Sequence, residues 1–230
     1  MVVFRQQPIA VWDWPIRVFH WSLPCCLGLL WWSGSEGGEQ MQLHLQVARI
    51  LLILLLFRLC WGIIGGGHSN FSGFVKGPRA VLAYVRGLRH RRSIRYLGHN
   101  PLGGWMVIAL LLSLAAQLST GLFANDDISV EGPLMHWVSK EFSDQITVLH
   151  RFGFKLIMGL VVVHLLGVLF HECIKGERLT KAMLTGCKEQ AVDPDGYIYK
   201  GSYTDQNSGV DLDSDGNKAS SKTPSAVKPE

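Results

Sequence analysis

Charge is what this sequence has least of. Only 17% of its 230 residues are charged, against about 25% in a typical soluble domain. Cysteine is sparse too, with Cys25, Cys26, Cys60, Cys173 and Cys187 making five. No two of them stand in CxxC spacing, which excludes a zinc ribbon or a redox dithiol, and five are too few for a secreted disulfide scaffold. They are expected to be buried, inert thiols. There is no CxxCH, so a covalently attached c-type haem is excluded. The first apolar run, from near Val18, contains Pro24 and lacks a small-x-small site, so no cleavable signal peptide is expected.

What is present is apolar. Residues of the AVILMFWYC set make up 48% of the chain, and eight Trp accompany nine His. Four long apolar segments run from about 16 to 34, 43 to 65, 104 to 124 and 146 to 170. A helix needs roughly 20 residues to cross the hydrocarbon core, and backbone polar groups in lipid must be satisfied within the segment. An all-α membrane protein is expected, a four-helix transmembrane bundle over residues 1–189. From Gln190 onward the chain is rich in Asp, Ser, Gly and Lys, so residues 190–230 are expected to be a disordered polar tail.

The loops orient the bundle. Residues 66–103 carry Lys76, Arg79, Arg86, Arg89, Arg91, Arg92 and Arg95 and no acid. The loop after the first segment has Glu36 and Glu39. The loop after the third has Asp126, Asp127, Glu131, Glu141 and Asp144 against Lys140. Basic loops mark the cytoplasmic side, so a multi-pass membrane protein with both termini cytoplasmic is expected. After Pro78, residues Val81, Tyr84, Val85 and Leu88 share a helical face flanked by arginines, the pattern of a helix lying in lipid headgroups rather than on nucleic acid.

Histidine within a bilayer is expensive and marks function. His20, His44, His150 and His164 qualify by position, whereas His68, His90, His99, His136 and His171 fall in loops or at span ends and are expected to be ordinary surface residues. Following the chain in and out of the membrane, His44 and His150 share an outer level and His20 and His164 an inner one. His150 and His164 are fourteen residues apart, nearly four turns, so they share a helix face about 21 Å apart along the axis. That is too far for one ion and suits two stacked cofactors, each held by two imidazoles from facing helices, as bis-histidine haem requires. A lone intramembrane His also reads as a satisfied core residue or a proton relay. Four in two matched levels favour haem, and the lack of thiol or carboxylate partners disfavours zinc.

Arg58 lies fourteen residues after His44, at the depth of the inner pair, and a haem propionate would compensate its charge. Arg17 either does the same or snorkels to the surface. The tryptophans Trp12, Trp14, Trp21, Trp31, Trp32 and Trp137 cluster near the expected interfaces as an aromatic belt.

The segments VWDWPIRVFHW (11–21), LHLQVARILLILLLFRLCWGIIG (43–65), YLGHNPLGGWM (96–106) and LHRFGFKLIMGLVVVHLLGVL (149–169) resemble the prokaryotic cytochrome b-561 family, which is related to the b-type cytochrome subunit of nickel-iron hydrogenases. The resemblance covers about residues 8–188. It implies a bundle with two haems b ligated by His20, His44, His150 and His164. It also implies electron exchange between membrane quinone (ubiquinone or menaquinone) and a periplasmic or membrane-bound redox protein such as a c-type cytochrome or a hydrogenase. Some relatives are superoxide:quinone oxidoreductases, an alternative that the acidic outer loops disfavour because they repel an anionic substrate.

Overall fold

The structure is a computed structural model and describes residues 5–89, 96–127 and 130–192. Arg91, Arg92 and Arg95 of the basic loop, and residues 193–230 of the expected tail, lie outside the described residues.

The first described element is strand β1 (Arg5–Ala10), followed by α1 (Trp14–Glu36) and α2 (Gln40–Ile64). The short α3 (Phe71–Phe74) and the amphipathic α4 (Pro78–Arg89) lead to α5 (Pro101–Gly121) and the long α6 (Lys140–Cys173). A short α7 (Leu179–Thr185) and strand β2 (Cys187–Val192) follow. Each long helix starts ahead of the apolar run expected for it. For α1, α5 and α6 the reason is capping, since polar residues that close a helix lie outside a hydropathy pattern; the Glu39 side chain makes no such bond at α2. Asp13 accepts from the Ile16 N–H at 3.1 Å, Asn100 from Gly103 at 2.7 Å and Ser139 from Phe142 at 3.3 Å, each satisfying an otherwise orphaned donor. Between α1 and α2 the chain reverses through Gly37 and Gly38, whose φ of +67° and +54° other residues adopt only with strain.

Helices α2, α5 and α6 are each long and apolar enough to cross a membrane. The expected first span is a helix of 23 residues, but Arg17, His20, Ser22, Pro24, Ser33 and Ser35 leave it less apolar than the other three. Helix α1 packs chiefly on α2, and α5 on α6. One core joins all four through Phe19, Cys26, Val47, Leu51, Leu55, Leu111, Leu114 and Ile157. Outward faces are apolar as well: Ile64 is 77% and Val148 68% exposed, a surface suited to lipid and not to water. All five cysteines are free, and of them only Cys26 is buried. Cys25, Cys60 and Cys173 are exposed instead of buried as expected, on helices whose outer faces are themselves apolar.

The structure adds a sheet that an all-α expectation omits. Strands β1 and β2 pair antiparallel from Arg5↔Val192 to Ala10↔Cys187, drawing the segment before α1 and the segment after α7 to one end of the bundle. The strands are six residues each and one contains Pro8, so neither announces itself by alternation; only their partnership makes them strands. The pairing runs to Val192, so residues 190–192, the first three of the expected tail, lie in a strand. At the same end, Val11 and Trp12 donate to the Gly186 carbonyl at 2.8 and 3.0 Å.

Asp13 is the junction of this end. Besides capping α1, its Oδ2 accepts from Trp61 Nε1 at 2.9 Å and from Ser69 Oγ at 2.8 Å. Asp13→Ala removes a cap and two charge-assisted hydrogen bonds. It is expected to destabilise the protein by about 3 kcal/mol, read as a lower thermal midpoint in detergent.

Candidate functional site

The four intramembrane histidines form two facing pairs. His44 at the start of α2 meets His150 of α6 with ring centroids 6.4 Å apart. His20 of α1 meets His164 of α6, also at 6.4 Å. Helix α6 therefore supplies one ring to each layer. Between the layers lies the core: Ile157, halfway between His150 and His164, is 2% exposed, and Leu51, seven residues after His44, is 1% exposed.

The His44–His150 layer is the more fully built. His44 Nδ1 donates to the Leu30 carbonyl at 3.1 Å, with Ser33 Oγ at 3.2 Å. His150 Nδ1 donates to the Gln117 carbonyl at 3.0 Å, with Thr120 Oγ1 at 3.1 Å. A carbonyl oxygen can only accept, so in both rings Nδ1 carries the proton and Nε2 keeps its lone pair. This is the tautomer that binds a metal through Nε2 while the second nitrogen is anchored by the protein. Glycine makes room for both rings. A Cβ on Gly34 would stand 3.2 Å from His44 Cε1, and one on Gly121 3.0 Å from His150 Cε1.

The geometry suits an iron held by two imidazoles. A metal–nitrogen bond of about 2 Å on each side sets the ring centroids about 6 Å apart, and both layers meet that spacing. Among the described residues no group of three or more His, Cys, Asp or Glu could hold a metal ion. A two-ligand set suits a metal whose remaining ligands come from a macrocycle. In the second layer the buried Nδ1 of His20 has no hydrogen-bond partner among the described residues, and His20 stands edge-on to Trp21 at 5.2 Å.

The two arginines are held by the protein. Arg58, 4% exposed, donates from Nη1 to the Ser69 carbonyl at 3.2 Å and lies 4.6 Å over the Phe71 ring. Ser69 links it to the carboxylate of Asp13, so the buried cation has an anion in its own cluster. Arg17 donates from Nη2 to the Leu184 carbonyl, which docks α1 on the last turn of α7.

Residues outside the expected set also shape the site. Ser33, Gln117 and Thr120 orient the histidines; their signal was available, since each is polar within an apolar helix. His99 is packed between Trp12 and Phe74, both at 4.7 Å between ring centroids, and is not the ordinary surface residue expected. Burial, with Arg58, Lys188, His164 and His68 adding to it, pushes its imidazole down to about 3. His171 is likewise buried. No periodicity marks either residue, because both acquire their surroundings from distant segments.

The fold and site define a helical membrane protein organised around paired imidazoles. The chain belongs to the prokaryotic cytochrome b561 family, whose sequence profile matches residues 11–186. Three relatives share the name Probable Ni/Fe-hydrogenase B-type cytochrome subunit, with a 1 inserted for the protein of Escherichia coli K12. That of Rhizobium leguminosarum bv. viciae is 24% identical over 214 residues, covering 79% of this chain and 89% of its own. That of Azotobacter vinelandii is 23% identical, covering 80% and 90%, and the E. coli protein 23% identical, covering 76% and 88%. The protein is thus a membrane-embedded b-type cytochrome of electron transport.

Gly121→Val should press on His150 and weaken haem retention on the order of 10-fold, measured as Soret absorbance per chain after dilution in detergent. Gly159→Val on the same helix α6 is the control, since a Cβ there meets nothing within 4 Å.

Proposed function

We propose that this protein carries two haems b, one in each imidazole layer, and passes electrons across the membrane between the quinone pool and a redox partner. The observation that supports this most directly is the repetition of one geometry. Two histidine pairs with the same 6.4 Å spacing sit fourteen residues apart on α6. On this reading α1 is the fourth span, both termini are cytoplasmic and the membrane is the bacterial inner membrane. His44 and His150 hold the outer haem, and His20 and His164 the inner one.

Bound haem supplies a one-electron couple at each layer. The chain supplies the rest. Ser33, Thr120 and the carbonyls of Leu30 and Gln117 orient the outer imidazoles. The Leu51–Ile157 core separates the layers and excludes water between them. Arg58 has donors beyond the one used on Ser69, and Arg17 has a buried Nε without a hydrogen-bond partner among the described residues; both suit the carboxylates of a propionate. Ubiquinone or menaquinone is the small-molecule partner. The names of the relatives favour a hydrogenase-like membrane partner on the other side of the exchange, with a periplasmic c-type cytochrome as the alternative.

Purified protein is expected to yield about two haems b per chain in the pyridine haemochrome assay, and haem-free protein would sink the proposal. His44→Ala and His150→Ala should each lose one and the same haem while the other persists. Retention of both would overturn the pairing.

A further inference from the structure

A second buried polar cluster lies beyond the His20–His164 layer and has no part in holding either imidazole pair. His171 follows His164 by seven residues on α6, two turns on nearly the same face and about 10 Å along the axis. Its Nδ1 stands 3.5 Å from Glu177 Oε1. Its Nε2 is 3.4 Å from Tyr84 Oη and 3.3 Å from Asn100 Nδ2. His171, Glu177 and Tyr84 are 9%, 5% and 6% exposed, an expensive set to bury for structure alone. Gly176, with φ at +66°, turns the chain after α6, and Glu177 N–H then donates to the His171 carbonyl at 3.1 Å. The turn folds the carboxylate back onto the ring.

Every element packed here brings a polar or charged group. Lys175 Nζ donates to Tyr84 Oη at 3.2 Å, and Tyr96 stacks edge-on against Tyr84 at 5.7 Å. From β2, the buried Lys188 donates to the Tyr96 carbonyl at 3.0 Å. Burial pulls its ammonium down to about 8, with Glu177 opposing. Burial works to raise the Glu177 carboxyl, but its close approach to His171 and the charges of Lys188 and Lys175 hold it below the usual carboxylate range. His171 lies two turns beyond His164 on α6, about 10 Å along the axis, so the cluster is within electrostatic reach of the inner imidazole pair through a low-dielectric interior.

We propose that Glu177, His171 and Tyr84 form a proton-exchange site linked to the inner imidazole pair, so that an electron arriving there is matched by a proton taken from the cytoplasmic side. This rests on the two-haem reading above. The electron comes from the redox partner of the electron-transfer activity. The proton comes from water and forms an N–H bond at the unprotonated nitrogen of His171, giving an imidazolium facing the Glu177 carboxylate. When the electron leaves, that N–H bond breaks and the proton is released. One negative and one positive charge enter together, which avoids accumulating charge in a low-dielectric region.

The sign follows. Extra negative charge at the inner pair makes His171 harder to deprotonate, so reduction takes up a proton and the inner midpoint potential falls as pH rises. Spectroelectrochemical titration of the purified holoprotein between about pH 5 and pH 8 should show this slope for the inner haem and little for the outer. Glu177→Gln should flatten it with both haems retained, and Tyr84→Phe, which removes only a hydroxyl, should shift it along the pH axis. Glu189→Gln removes an exposed acid paired with Lys181 and Arg178 and should leave the slope intact. The reduced-minus-oxidised infrared spectrum should carry an imidazole signal that His171→Phe abolishes. Two haems with potentials independent of pH, or a slope unchanged in Glu177→Gln, would overturn this inference alone. Protein without haem would instead overturn the reading it rests on.

Discussion

A buried imidazole is costly unless its N–H finds an acceptor, and much of the structure around the His44–His150 layer follows from that cost. In the His44–His150 layer each Nδ1 is given to a backbone carbonyl, of Leu30 and of Gln117. A carbonyl inside a helix is already committed to the helix ladder, so the second bond requires the ring to lie close against the neighbouring helix. Gly34 and Gly121 permit that approach. Helices α1 and α5, through Leu30 and Gln117, hold one face of the layer, while α2 and α6 present the rings. The packing of four helices and the tautomer of two histidines are one arrangement seen at two scales.

The end of the bundle that bears the sheet solves a different problem, the burial of charge. Arg58, Asp13, Glu177 and Lys188 all lie there, and none stands alone. Ser69 bridges Arg58 and Asp13, and Glu177 faces His171. The partners come from five separate stretches of chain, which is why β1, α7 and β2 are gathered against the ends of α1 and α6. At the opposite end the surface acids Asp127 and Asp144 close on Lys140. Those contacts are solvent-exposed and contribute little to stability.

Apolar packing separates these polar levels. Leu51 and Ile157 sit midway along their helices, each seven residues from a histidine, in a core shared by all four long helices. Within lipid such packing gains dispersion rather than hydrophobic free energy, so close fit matters more there than buried area. The apolar outer faces meet lipid, and the inner faces decide which polar layers remain apart.

The long helices could be read directly from the sequence, because length and apolarity are local properties and the bilayer demands both. The two histidine levels could be read for a similar reason: a helix rises by a constant amount per residue, so His150 and His164 had to share a face. Only tertiary structure decided that Asp13 would join Trp61 and Ser69, that Arg58 would lean on Ser69 and Phe71, and that Pro8 would lie in a strand. The same holds for His99 and His171, which sequence position assigns to the surface and packing places inside. Those outcomes depend on segments from 11 to 187 residues apart meeting at one end of the bundle. Local periodicity carries no record of such meetings, since each partner is an ordinary polar residue until the other arrives.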